Sequence, residues 1–203
     1  MTQPNLKSVR RASVFLVACL LAFPPLSTAI APASAAESIV TLRGDPAAEA
    51  DERERLLAAL REAANAAEAQ AISAEIWALW FRAPNAEAAK LMEEALDRRG
   101  ADDHAGSIAA LDKLVEAEPG WAEAWNQRAT MRYVIRDYHG SLADIDRVLQ
   151  LEPKHFGALS GQAIILMRQG RMEEGQAALR RAVDIDPFLS ERALLMQPPG
   201  KDI

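Results

Sequence analysis

Apolar residues recur at helical spacing along most of the chain. Ile72, Ile76 and Trp80 fall every four residues with Leu79 beside them, the stripe of an amphipathic helix. Leu56, Leu57 and Leu60 carry an earlier helix that Asp45 or Asp51 is placed to cap,. Further on, Ile108, Leu111, Leu114 and Val115 follow Gly106-Ser107, and Leu142, Ile145, Val148 and Leu149 follow Gly140-Ser141 in the same frame. The frame returns at Glu174-Gly175 with Gln176, Leu179, Ala182 and Val183. Prolines 84, 119, 153 and 187 punctuate these helices at intervals of 35, 34 and 34 residues. A fixed period near 34 residues predicts stacked helical hairpins, because one hairpin cannot bury its apolar face alone.

The expected organisation is all-α. Residues 1–35 read as an export signal, 36–48 as a linker, and 49–84 as a degenerate hairpin with its second helix over 67–81. Residues 85–187 read as three repeats, and 188–203 as a short capping helix with a mobile tail. The export reading rests on Lys7, Arg10 and Arg11, then the short apolar run Val14–Phe23, then Pro24-Pro25 and the small residues Ala33-Ser34-Ala35,. Cleavage near Ala35/Ala36 would leave a periplasmic or secreted protein. Leu16-Val17-Ala18-Cys19 is similar to the box that precedes a lipid-modified cysteine, which would make the chain a lipid-anchored scaffold for envelope assembly. Cys19 lies inside the apolar run rather than at its end, which argues against that alternative.

Charge narrows the partners. The formal net charge is −6, and losing Lys7, Arg10 and Arg11 with the leader would make it −9. An acidic chain without a basic cluster is poorly suited to nucleic acid or, once the signal is gone, to anionic membranes. Cys19 is the one cysteine, so cleavage would remove thiol chemistry. No phosphate-binding glycine loop, serine elbow or paired-histidine motif occurs after the leader. His104, His139 and His155 are expected at surfaces or turns, too far apart along the chain for one helical turn to pair them on a metal. Glu123, Glu173 and Glu174 fit solvated helix starts, Trp80 and Trp125 fit core positions, and Trp121 is expected to be partly exposed. No enzyme and no cofactor are indicated. A small-ligand binder or enzyme in the groove is the weaker alternative.

Trp125, Ala129, Tyr138, Ser141 and Pro153 carry a family resemblance. Residues 125–153 resemble a tetratricopeptide repeat, whose first helix opens with Trp, carries a small residue one turn on, and is followed by an aromatic at the interhelix turn. Leu159, Ala163, Gly170, Leu179, Ala182 and Pro187 match in the next unit. The resemblance extends over 86–187 and more loosely over 51–84. Ala124–Thr130 and Glu152–Leu159 are also similar to a group of exported α-proteobacterial repeat proteins. The resemblance implies a right-handed superhelix of stacked antiparallel hairpins whose first helices line a concave groove. It implies a protein or peptide partner there, with Asn126, Thr130, Tyr133, Ser160, Ile164, Met167 and Arg168 as groove residues. Oligomeric state is left open. Met92, Leu96, Gln127, Gly157 and Gly161 stand where the carboxylate-clamping members need basic residues and asparagine, so that specialised function is not expected.

Overall fold

The computed structural model describes residues 40–196. Eight helices follow in order: α1 Pro46–Arg61, α2 Ala66–Trp80, α3 Ala86–Gly100, α4 His104–Ala117, α5 Ala122–Val134, α6 Tyr138–Leu151, α7 Phe156–Arg168 and α8 Met172–Ile185. A 3-10 turn, Ser190–Leu194, stands where the short capping helix is expected. Helix starts follow local chemistry. Asp45 accepts from the Ala47 N–H and precedes Pro46, while Asn65 and Asn85 accept from the first turns of α2 and α3,.

The 34-residue period is written into the backbone. Asp103 and Asp137 each accept from the N–H of a glycine three residues on, Gly106 and Gly140, at 2.9 Å. The turns before these helices place Asp102, Arg136 and Gly170 in the left-handed region, at φ 58°, 66° and 80°. Only the third of these positions holds the residue best suited to that geometry. Ser107 Oγ donates to the Ala95 carbonyl at 2.8 Å, and Ser141 Oγ to the Ala129 carbonyl at 2.7 Å. Gly175 takes the same place in the third hairpin. There a Cβ would sit 2.9 Å from the Ala163 carbonyl oxygen, so the closest crossing belongs to α7 and α8.

Three hairpins, α3–α4, α5–α6 and α7–α8, thus stack in sequence. Met92, Ala95, Leu111, Leu114 and Met131 belong to one buried cluster reaching from the first hairpin into the second. Ala129, Ile145, Val148, Ala158 and Ile165 form another that reaches into the third.

The remaining hairpin, α1–α2, does not simply precede this stack. Helix α1 packs on α8, the last helix of the last repeat. Trp80 of α2 lies at 3.8 Å from the His155 ring, just before α7. Residues 40–45, expected as linker, are pinned: Val40 is buried in the first cluster, and the Arg43 N–H and Thr41 carbonyl bond Ala83 at 2.7 Å each. The hairpin bears two large aromatics and lacks the small-residue crossing of the repeats, so it buries its apolar face against the repeat turns.

Candidate functional site

Pro119-Gly120 ends the first repeat and places Trp121 at the N-cap of α5, two residues before Glu123. The Glu123 side chain is fully buried. Its carboxylate accepts from Gln127 Nε2 at 2.6 Å and from Asn126 Nδ2 at 3.2 and 3.3 Å. The His155 Nε2 lies 3.2 Å away. His155 is also the N-cap of α7, where its Nδ1 accepts from the Ala158 N–H at 3.1 Å. A ring nitrogen that accepts carries no proton, so the imidazole proton resides on Nε2 and is donated to Glu123. Arg99 extends the line by donating to Gln127 Oε1 at 2.7 Å. Burial pulls the Arg99 guanidinium down, with the Glu123 charge opposing it.

Aromatic rings close this cluster. The His155 and Trp80 rings are parallel to within 8°, and Trp77 meets Trp80, His155 and Phe156 edge-on. Trp121 Nε1 donates to the Trp80 carbonyl at 2.8 Å. Gly157 is the seat of Trp77, since a Cβ there would lie 2.6 Å from the indole. Arg53 pairs with Glu152 at 3.1 Å, and Glu54 with Lys154. Burial pushes the Glu152 carboxyl up, with Arg53 opposing. A cleft of about 200 Å³ between hairpin and repeats is bounded by Arg43, Glu49, Arg53, Trp80, Trp121 and Glu152. The cluster is built to hold elements together. Both imidazole nitrogens are engaged and the carboxylate already accepts from three side chains, so neither group is open as a catalytic base.

Several expectations are corrected here. His155 and Glu123 are buried instead of lying in a turn or in solvent, and Trp121 is buried instead of partly exposed. Trp80 is in the core as expected. Trp125 is half-buried, with its Nε1 on the Pro119 carbonyl and Arg128 over its ring at 4.8 Å. A sequence signal for two of these was present. Trp121, His155 and Leu189 each stand two residues after a repeat-closing proline, and all three are buried. That register marks 155 as an interior position.

The nominated groove residues separate into three groups. Asn126 and Ser160 are buried, the first bonded to Glu123 and the second with no hydrogen-bond partner for its Oγ among the described residues. They are therefore not open to a ligand. Met167 turns towards α8, where its Sδ accepts from Gln176 Nε2 at 3.3 Å. Thr130 and Ile164, one turn beyond Asn126 and Ser160, are half-buried, as is Tyr133. Arg168 is exposed and gathers the aromatics: its Nη1 donates to the Tyr138 hydroxyl at 3.2 Å, and its guanidinium lies 5.6 Å above Tyr133. Burial pushes the Tyr133 phenol up, with Arg168 opposing. The structure thus brings Tyr133, Tyr138 and Arg168 together, with Thr130 and Ile164 on successive first helices.

No protein-family model matches the chain. A TPR repeat-containing protein of Rhizobium etli is 35% identical over 164 residues, covering 80% of this chain and 80% of that protein. Among solved structures, the first TPR of Spaghetti (RPAP3), bound to an HSP90 peptide, is similar with a TM-score of 0.52. It is 17% identical and covers 53% of this chain and 86% of its own. The TPR2B domain of yeast Sti1 in its Hsp70 complex gives 0.50 at 15% identity, covering 53% and 89%. These two likenesses are likenesses of fold.

Proposed function

The chain belongs to the TPR repeat-containing proteins, and from that premise we propose that it is a non-enzymatic interaction module. It holds a protein or peptide segment against the part of the α5–α7 face that its own N-terminal hairpin leaves open. The observation that carries this reading is the division of that face. Asn126 and Ser160 are buried, whereas Thr130 and Ile164 stay half-open beside the Tyr133–Arg168 pair. A hydroxyl, a branched apolar side chain, aromatic rings and a cation offer an extended peptide both hydrogen bonds and apolar contact.

A photo-crosslinking amino acid at 130 or at 164 is expected to trap the same partner in cells. The same residue at the exposed outer-helix positions 116 and 180 should trap none. Ile164→Asp should weaken the adduct at 130 at least tenfold, about 1.4 kcal/mol. Equal labelling from all four positions, or no adduct from 130 and 164, would contradict the groove.

We place this activity in the periplasm, on the basic start, short apolar run and small-residue site of residues 1–35,. Fractionation and intact-mass measurement should give an exported chain starting near Ala36. A full-length chain in the cytoplasmic fraction would overturn the export reading, and an acylated Cys19 would replace it with the lipid-anchored one.

A further inference from the structure

The turn that closes α5 differs from its equivalents in the other two repeats. It reads Val134-Ile135-Arg136, where the first repeat has Gly100-Ala101-Asp102 and the third has Arg168-Gln169-Gly170. Val134 is 43% exposed and Ile135 49%, although both are branched apolar residues that folding ordinarily buries. Arg136 holds the left-handed conformation at φ 66°, where the third repeat has glycine, and a side chain there is strained. Among the described residues its guanidinium makes no hydrogen bond or ion pair. The nearest acid in sequence does not neutralise it, because Asp137 accepts from the Gly140 N–H and faces Arg132 at 3.9 Å. The turn is continuous with the open face. The Arg136 N–H bonds the Tyr133 carbonyl, and the Arg168 guanidinium lies over the Tyr133 and Tyr138 rings.

Two exposed apolar side chains beside an unmatched cation, held in a backbone conformation a glycine would adopt more easily, have no role in the repeat itself. We infer that Val134, Ile135 and Arg136 form a docking point for a partner segment that carries a carboxylate next to a branched or aromatic apolar residue. The apolar anchor covers Val134 and Ile135, and the carboxylate pairs with Arg136 at the end of the peptide face. This rests on the interaction-module reading and adds to it the chemistry of the partner. Charge complementarity selects the occupant: a chain with net charge −6 offers this cation and apolar pair as a local exception that acidic segments match.

The test is a selection of random displayed 12-residue peptides on the immobilised protein, followed by fluorescence anisotropy of the synthetic winners. Enrichment of Asp or Glu within two residues of Leu, Ile or Phe is expected. Arg136→Gly should weaken those peptides at least tenfold while raising Tm by about 2–4 °C, because glycine relaxes the left-handed turn. Ile135→Ser should weaken them similarly at unchanged Tm. A gain in stability joined to a loss of binding is a signature that a merely structural residue does not give. Winners without acidic enrichment, or winners that bind the Arg136→Gly protein as tightly as the wild type, overturn the docking point. If those same winners lose affinity in Ile164→Asp, the α5–α7 face stands and only the turn falls. Failure to select any peptide counts against both. Concentration-dependent self-association abolished by Ile135→Ser would make the occupant a second copy and would also overturn the inference.

Discussion

Asp144→Ala is expected to lower the stability of the folded chain by about 3–5 kcal/mol, the cost of removing one partner from a buried ion pair. The Asp144 side chain is 2% exposed and accepts from Arg128 through Nε at 2.9 Å and Nη2 at 2.7 Å. Arg132 adds a third contact at 3.1 Å. Arg128 also donates to Asp112 at 2.9 Å, so this network ties α4, α5 and α6 together. Burial pulls the Arg128 guanidinium down, but its bonds to Asp144 and Asp112 outweigh that and raise it. Without the carboxylate, two guanidinium groups face each other across a site that water reaches poorly. Urea denaturation followed by circular dichroism should show a lower midpoint at unchanged slope. A loss below about 1 kcal/mol would mean that both arginines swing into solvent and that the pair resembles a surface bridge. Asp144→Asn keeps the shape and one acceptor, and should cost less.

The second large effect is expected at Trp80→Ala, at about 3–5 kcal/mol for deleting a buried tryptophan. Trp80 is 4% exposed, stacks on His155 at 3.8 Å and lies 5.2 Å from both Trp77 and Phe156. Its loss removes apolar area and uncovers the Glu123–His155 hydrogen bond, which then competes with water. Trp80→Phe should recover more than half of the loss, because the second ring is smaller but the stacking surface persists. Limited proteolysis supplies an independent readout. In Trp80→Ala the turn between α1 and α2 should be cut faster than the turns inside the repeats. If Trp80→Ala costs under 1 kcal/mol with unchanged proteolysis, the hairpin is held by Val40, the Ala83 bridge and the Arg53–Glu152 pair instead.

The buried polar positions divide by how they could be read. Asp144 stands 34 residues after Ala110 and 34 before Ala178, both buried. The repeat register therefore marks 144 as a core position and a carboxylate there as one in need of a partner. His155 was legible in the same way from Trp121 and Leu189. Glu123 was not, because its position in the next repeat is Gly157. What buries it comes from α2, outside the repeat frame. Of the nominated partner-facing residues, the period locates Thr130 and Ile164 as equivalents one turn beyond Asn126 and Ser160. It is silent on the cover that closes the latter pair.

The sequence by itself determined the helices, their caps, the 34-residue stack and the close crossings at Ser107, Ser141 and Gly175. Each of these depends on contacts within a turn or between adjacent repeats, and such contacts leave a periodic trace in the residues. Only the tertiary structure decided where the first hairpin goes. Trp80 meets His155 across 75 intervening positions of sequence separation, and Glu54 meets Lys154 across 100. Contacts so distant, made once by aromatic rings and ion pairs, repeat nowhere along the chain. They are set by which apolar surface the folded stack leaves uncovered, and that surface exists only after the repeats have packed.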